Sequence, residues 1–159
     1  MFVLAAVVWA ADQMTKEWAL AEFAQGEAVP FIGELLQFTL VFNPGAAFSM
    51  GTGFTPILST IMAIVTLAIV VAATRVQSRW WAVALGLLLG GALGNLTDRL
   101  TRPPGFGHRH VVDFLMLPNF PVFNVADSFI STAAVLIVIA AIKDIPFGAE
   151  PSTAEDDRG

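Results

Sequence analysis

Four apolar stretches constrain this chain more than any other feature, because three of them cannot cross a bilayer without taking in polar side chains. They run Met1 to Ala11, Pro56 to Ala73, Trp80 to Gly94 and Phe129 to Ile142. A spanning helix takes about 20 residues, with a range of roughly 17–25. Pro56 to Ala73 meets that as it stands and is bounded by Thr74-Arg75. The first stretch must run past Asp12 and Lys16. The third must include Asn95, Thr97 and Asp98, and the fourth must reach back to Asn124 and Asp127. The polar residues therefore belong inside the helix ends, and the chain is expected to carry a shallow polar cluster in the membrane.

Composition agrees. Of 159 residues, 56% are hydrophobic and only 13% charged, where soluble domains average about 25% charged. There is room for three or four spanning helices in a single domain, residues 1–145, with a disordered tail expected from 146 to 159. Most of the net charge of −5 comes from that tail, where Glu150, Glu155, Asp156 and Asp157 stand against the single Arg158. What remains has no basic footprint for nucleic acid. The absence of cysteine excludes disulfides, cysteine-metal sites and a thiol nucleophile. Met1-Phe2-Val3 offers no basic n-region, so the first stretch reads as retained, not as a signal peptide.

Alternating direction puts the polar ends together. If the first helix exits near Lys16 and the third near Asp98, the fourth re-enters at Asp127 on the same side. Arg75, Arg79 and Lys143 then fall on the other side, which by the positive-inside rule is the cytoplasm. Both termini are expected there. Between the first two helices, Leu36, Phe38, Leu40 and Phe42 alternate with Gln37, Thr39 and Val41, a period-two pattern that reads as strand. It closes at the turn Asn43-Pro44-Gly45, and with Phe31, Phe48 and Phe54 around it a small β-unit is expected at about residues 30–54, resting on the membrane interface.

Several residue groups have competing readings. Asp12 and Lys16, four apart on one helix face, read first as an interfacial ion pair with Lys16 snorkelling to the headgroups; a role in shaping the site is the rival. Gly86, Gly90 and Gly94 form a small-residue ridge that lets helices approach closely, with Gly91 a second small position. Asn95, Asp98 and Arg99 share nearly one face, either as a helix end with Asp98 and Arg99 in charge balance or with Asn95 and Arg99 as donors for a carboxylate or a substrate carbonyl. Asn43 is either a plain turn residue or an amide offered to a substrate backbone. His108 and His110 flank Arg109, but no helical His-Glu-x-x-His pattern exists, and no metal is expected.

Asp113 and Asp127 are the sharpest pair. Asp127 reads alternatively as a helix N-cap and Asp113 as a surface acid on a mobile, loop-borne segment. Acids near hydrocarbon depth are costly and mark functional sites. Their company of Asn43, Asn95, Asp98, Arg99 and Asn124 on one membrane face exceeds what capping needs. Two carboxylates brought together suggest a shared-proton pair that activates water.

Five blocks carry a family resemblance: Asp12-x-x-Thr15-Lys16; Asn43-x-Gly45-x-x-Phe48; Gly90-Gly91-x-x-Gly94-Asn95-x-x-Asp98-Arg99; Val111-Val112-Asp113-Phe114; and Phe123-Asn124-x-Ala126-Asp127. In that order, the chain resembles the bacterial lipoprotein signal peptidases (signal peptidase II), polytopic aspartyl proteases. The resemblance implies an all-α polytopic membrane fold of four transmembrane helices with a small extracytoplasmic β-cradle. It implies Asp113 and Asp127 as catalytic residues, and Asn43, Asn95, Arg99 and Asn124 as polar site-lining residues. Asp12, Lys16, Gly45, Gly94 and Asp98 take supporting roles. The implied substrate is a prolipoprotein cut just before its diacylglyceryl-modified cysteine, in the bacterial cytoplasmic membrane, by a monomer in contact with lipids and without a cofactor. The loop from Arg99 to Asp113 is longer than the family pattern and the amino terminus shorter. A proton-relay transporter is the main rival, but its acids belong near the midplane and in internal repeats, and neither is seen. A non-enzymatic membrane scaffold is the second.

Overall fold

The computed structural model of the chain describes residues 1–44, 55–102 and 110–148. Gly45, Phe48, Phe54, His108 and the chain from 149 onward lie outside the described residues. Four helices are present: α1 (Phe2–Glu22), α2 (Thr55–Ala73), α3 (Arg79–Thr101) and α4 (Val125–Ile142). Each long helix takes in the polar residues that span length required, so α1 runs through Asp12 and Lys16, and α3 through Asn95 and Asp98. Among the described residues, α3 and α4 are long and apolar enough to cross a membrane by length and composition.

Helix α3 is the hub, packed against the other three. Its glycine ridge explains how. A Cβ on Gly90 would sit 2.5 Å from Val8 Cβ and 2.7 Å from Ala5 O, and one on Gly94 would overlap the Asp12 carboxylate. The ridge therefore seats α1. Gly91 faces the other way, where a Cβ would meet Ala126 O at 2.7 Å and Ile130 Cγ1 at 2.8 Å, so it seats α4. Helix α4 buries only Ala126, Ala133 and Ala140, a narrow seam of small residues every seventh position. Helix α1 buries Ala5, Val8, Asp12, Lys16 and Ala19 along one stripe. The outward faces are apolar instead: Val3, Val7, Ile64, Leu67, Val135, Val138 and Ile142 are all exposed.

A three-stranded antiparallel sheet in the order β1-β2-β3 covers one end of the bundle. Its strands are β1 (Val29–Ile32), β2 (Leu36–Asn43) and β3 (Val111–Met116). The alternating segment is β2, one residue longer than its period-two pattern indicates. The sheet also draws on residues far from the 30–54 window, because β3 pairs Asp113 with Val41 and Val111 with Asn43. This corrects the loop-borne reading of Asp113, which stands on a strand. Val111, Val112, Asp113 and Phe114 are all buried, so β3 has no solvated face and lacks the alternation that would mark it. Trp18, at the end of α1, packs edge-on against Phe23 and Phe38 at 5.0 and 5.2 Å and fastens the sheet to the bundle.

At the opposite end, Trp80 Nε1 donates to Leu136 O and Trp81 Nε1 to Ile145 O. Phe147 packs edge-on against Trp81 with centroids 5.1 Å apart, and its carbonyl accepts from Gln77 N. Packed chain therefore continues past the expected boundary at Ile145, through Phe147.

Candidate active site

The two aspartates meet because the chain doubles back between them. After β3, a turn at Leu117–Phe120 with Asn119 at φ 56, a conformation asparagine tolerates, returns the backbone. Phe123 then pairs with Leu115, exchanging hydrogen bonds of 2.8 and 3.0 Å. Asn124 and α4 follow at once. A cavity of about 550 Å³ opens there, with Asn43, Asn95, Arg99, Asp113 and Asp127 on its polar wall. Met62, Leu117, Phe120 and Val122 contribute apolar wall.

Each carboxylate is held by amides. Asp113 accepts from Asn43 Nδ2 at 2.8 Å on one oxygen and from Asn124 Nδ2 at 2.6 Å on the other. Asp127 accepts from Asn95 Nδ2 at 2.8 Å and from the Asn124 backbone N–H at 3.2 Å. Asn124, not Asp127, is the N-cap of α4: its Oδ1 accepts from Asp127 N at 3.0 Å. The capping alternative for Asp127 is thus corrected in position: Asp127 stands at N3 of a capping box and engages Asn95 with its second oxygen. Asn124 is corrected too. It is fully buried behind the wall and bridges the two acids from the rear. Asn43 ends β2 and turns its amide to Asp113, not into a free turn.

Asp113 is only 2% exposed, and its pKa is pushed up to about 7. Burial is the largest cause, and the charge of Asp127 adds to it. The bonds from Asn43 and Asn124 and the charge of Lys16 pull the other way. Arg99 lines the cavity and reaches Pro44 O at 3.3 Å.

Beneath the pair lies an ion cluster. Lys16 Nζ contacts Asp12 at 2.8 Å and Asp98 at 2.9 Å, all three fully buried. The snorkelling reading of Lys16 is therefore overturned: the ammonium points inward, because both of its acids lie there. Asp98 also pairs with Arg102 at 2.6 Å, and Arg102 with Glu17 at 2.8 Å. Each acid braces backbone as well, Asp12 accepting from Ala126 N at 2.9 Å and Asp98 from Val112 N at 3.1 Å. The cluster thereby ties α1 and α3 to the segments that carry Asp127 and Asp113. Gly94 supplies the space for the Asp12 carboxylate. Sequence reasoning missed Arg102 as a partner of Asp98, although their i, i+4 spacing signals it. It also missed Ser128 and Ser131, which line the cavity one helical turn along α4 from Asn124 and Asp127. Among the described residues no group of three or more histidine, cysteine or acidic side chains is arranged to hold a metal ion.

The chain has extensive relatives. A family model described as signal peptidase (SPase) II matches residues 4–143. A lipoprotein signal peptidase of Rhodococcus jostii (strain RHA1) is 47% identical over 151 residues, covering 95% of this chain and 74% of the relative. The one from Mycobacterium avium (strain 104) is 48% identical over 144 residues, covering 91% and 79%. Two solved bacterial membrane enzymes superpose, one with a TM-score of 0.78 at 32% identity over 89% of this chain and 92% of the other. The second gives 0.73 at 31% identity over 94% and 91%. Matched over most of its length in sequence and in fold, this chain belongs to the signal peptidase II family, membrane enzymes that are aspartic peptidases.

Proposed function

We propose that this chain cleaves the signal peptide from diacylglyceryl-modified prolipoproteins, just before the lipidated cysteine, with Asp113 and Asp127 as a water-activating pair. The observation that carries the reading is the convergence of both carboxylates on one cavity, bridged by a single buried asparagine. Asp127 is the base. Both of its oxygens accept N–H bonds, and it sits in the first turn of α4, where the helix dipole favours negative charge. Asp113, buried and with its pKa raised to about 7, is the acid. Asp127 takes a proton from water as the hydroxyl adds to the scissile carbonyl carbon, while Asp113 gives its proton to the carbonyl oxygen. On collapse, Asp127 protonates the leaving nitrogen and Asp113 recovers its proton.

Charge balance supports the single shared proton. The buried acids Asp12 and Asp98 are matched by Lys16 and Arg102, and Glu17, the remaining member, is largely exposed, so the buried part of the cluster contributes no net charge. Arg99 on the cavity wall then balances a pair carrying one negative charge, the arrangement a low-dielectric site favours. Arg99 also orients substrate carbonyls, and the lipid chains lie against the apolar wall.

All four helices span the bacterial cytoplasmic membrane, both termini are cytoplasmic, and the sheet lies at the extracytoplasmic face with Phe31, Ile32 and Leu35, which are exposed, against the interface. The helices and the sheet form one monomeric domain whose packed chain runs on through Phe147, and no cofactor takes part.

The test uses purified protein in detergent with a diacylglyceryl-modified prolipoprotein and its unlipidated form. Asp113→Asn and Asp127→Asn should each lower cleavage by about 10³-fold or more, as expected when a general acid or base is lost. Parental rates in both variants would remove the pair from the mechanism. Equal cleavage of the unlipidated form would remove the lipid from the substrate definition.

A further inference from the structure

Lys16 is a fully buried cation that the proposed reaction does not use. Its three ammonium protons have three acceptors: Asp12 Oδ2 at 2.8 Å, Asp98 Oδ2 at 2.9 Å and Asn95 Oδ1 at 2.9 Å. The third contact reaches the site. We propose that Lys16 is a positioning residue for the aspartate pair, holding the Asn95 amide in the one orientation that aims its Nδ2 at Asp127. This rests on the reading of Asp127 as the reacting base.

The argument is one of donors and acceptors. An ammonium has no acceptor capacity, so the atom of Asn95 facing Lys16 must be oxygen. Asn124 Nδ2 donates to the same oxygen at 3.1 Å, a second vote for that orientation. Asn95 Nδ2 is thereby left to donate to Asp127 Oδ1 at 2.8 Å. Turning the amide over would set NH₂ against an ammonium and a carbonyl oxygen against a carboxylate. The chain Lys16–Asn95–Asp127 also polarises in one direction, since a cation on the carbonyl makes the amide N–H a better donor. Lys16 therefore strengthens and aims the hydrogen bond that Asp127 receives without touching it. The other charges around Lys16 are Asp12 from α1, Asp98 from α3 with Arg102 beyond it, and Asp113 from β3.

Removing Lys16 alone leaves Asp12 without its cation, so the informative variant is charge-neutral. In Asp12→Asn/Lys16→Met, Asp98 keeps Arg102 and position 12 keeps an acceptor for Ala126 N. Asp12→Asn alone, which retains Lys16 on Asp98 and Asn95, is the baseline. Both full-length proteins are assayed in detergent on the lipidated prolipoprotein across pH, with thermal midpoints measured alongside. Relative to the baseline, the double variant should lose about tenfold or more in kcat, with KM unchanged within about twofold, the pattern of a transition-state interaction. The acid limb of its kcat/KM profile should move relative to the baseline's, because the Asn95 donor to the reacting carboxylate is no longer held in place. An acid limb left in place, a loss confined to KM, or failure of the double variant to fold would each overturn the positioning role. If the parent and the baseline do not cleave the lipidated substrate at all, the reaction itself is misassigned. That outcome is separate from a double variant that cleaves with an unaltered profile.

Discussion

Asp113 is a carboxyl group that the fold holds at a cost. Its pKa stands near 7 in the folded chain against about 3.9 for an unperturbed aspartate. Between those values the folded state keeps a proton that the unfolded state has lost, so stability falls as pH rises from about 4 to about 7, by up to about 1.4 kcal/mol per pH unit. Above that window the penalty is complete, and below it the penalty vanishes. Asp113→Asn removes the titrating group. The variant's thermal midpoint in detergent should therefore gain on the parent's as pH is raised from 5 to 8; a variant that loses ground to the parent over that range would contradict the assignment. The same proton limits catalysis on the alkaline side. Activity of the parent should decline above about pH 7 as Asp113 ionises, with apparent values belonging to the coupled pair.

Among the helices, the glycine ridge of α3 makes a graded prediction. Replacing glycine by alanine in a helix gains about 1 kcal/mol in propensity, while forcing a methyl into a packed contact costs about 1–3 kcal/mol. At Gly86 the nearest atoms are 3.1 Å away, from Leu4 and Met1, so the two effects nearly cancel. At Gly90 the methyl meets Val8 and Ala5 far inside contact distance, and the loss wins. At Gly94 it meets the Asp12 carboxylate, so Gly94→Ala should lose activity as well as stability by displacing the ion cluster. Of the three single variants, Gly86→Ala should lower the thermal midpoint least, and Gly90→Ala and Gly94→Ala should lower it further. A Gly90→Ala protein as stable as its parent would sink the tight α1–α3 interface.

Taken whole, the molecule is polar inside at one end and apolar outside along its length. Lys16, Asp12 and Asp98 are fully buried while Val3 is 80% and Ile142 76% exposed, the inverse of a water-soluble protein. That arrangement suits a hydrocarbon solvent and fixes which ends share a side. Because the sequence contains no cysteine, single cysteines can report it. In intact cells or spheroplasts, Asn119→Cys should react with a membrane-impermeant maleimide, and Gln77→Cys should react only after permeabilisation. The reverse pattern would invert the proposed orientation.

Local chemistry alone decided a good deal. Span length drew Asp12, Lys16, Asn95, Asp98 and Asp127 into helix ends, the four-residue glycine spacing marked a packing ridge, and alternation marked β2. These features are legible because each is written over a few consecutive turns or residues. What the tertiary structure decided has no such local record. β3 is buried along Val111 to Phe114, so it has no alternating face to betray it as a strand, and Asp113 within it passed for a loop residue. The inward turn of Lys16 depends on Asn95, 79 positions away, and the seat of Asp12 on Ala126, 114 positions away. Which atom of an asparagine amide, or which oxygen of an aspartate, meets which partner is settled only when α1, α3, β3 and α4 close around one another. In a low-dielectric interior each buried charge and amide must find a partner, and the sequence names the candidates without saying how they pair.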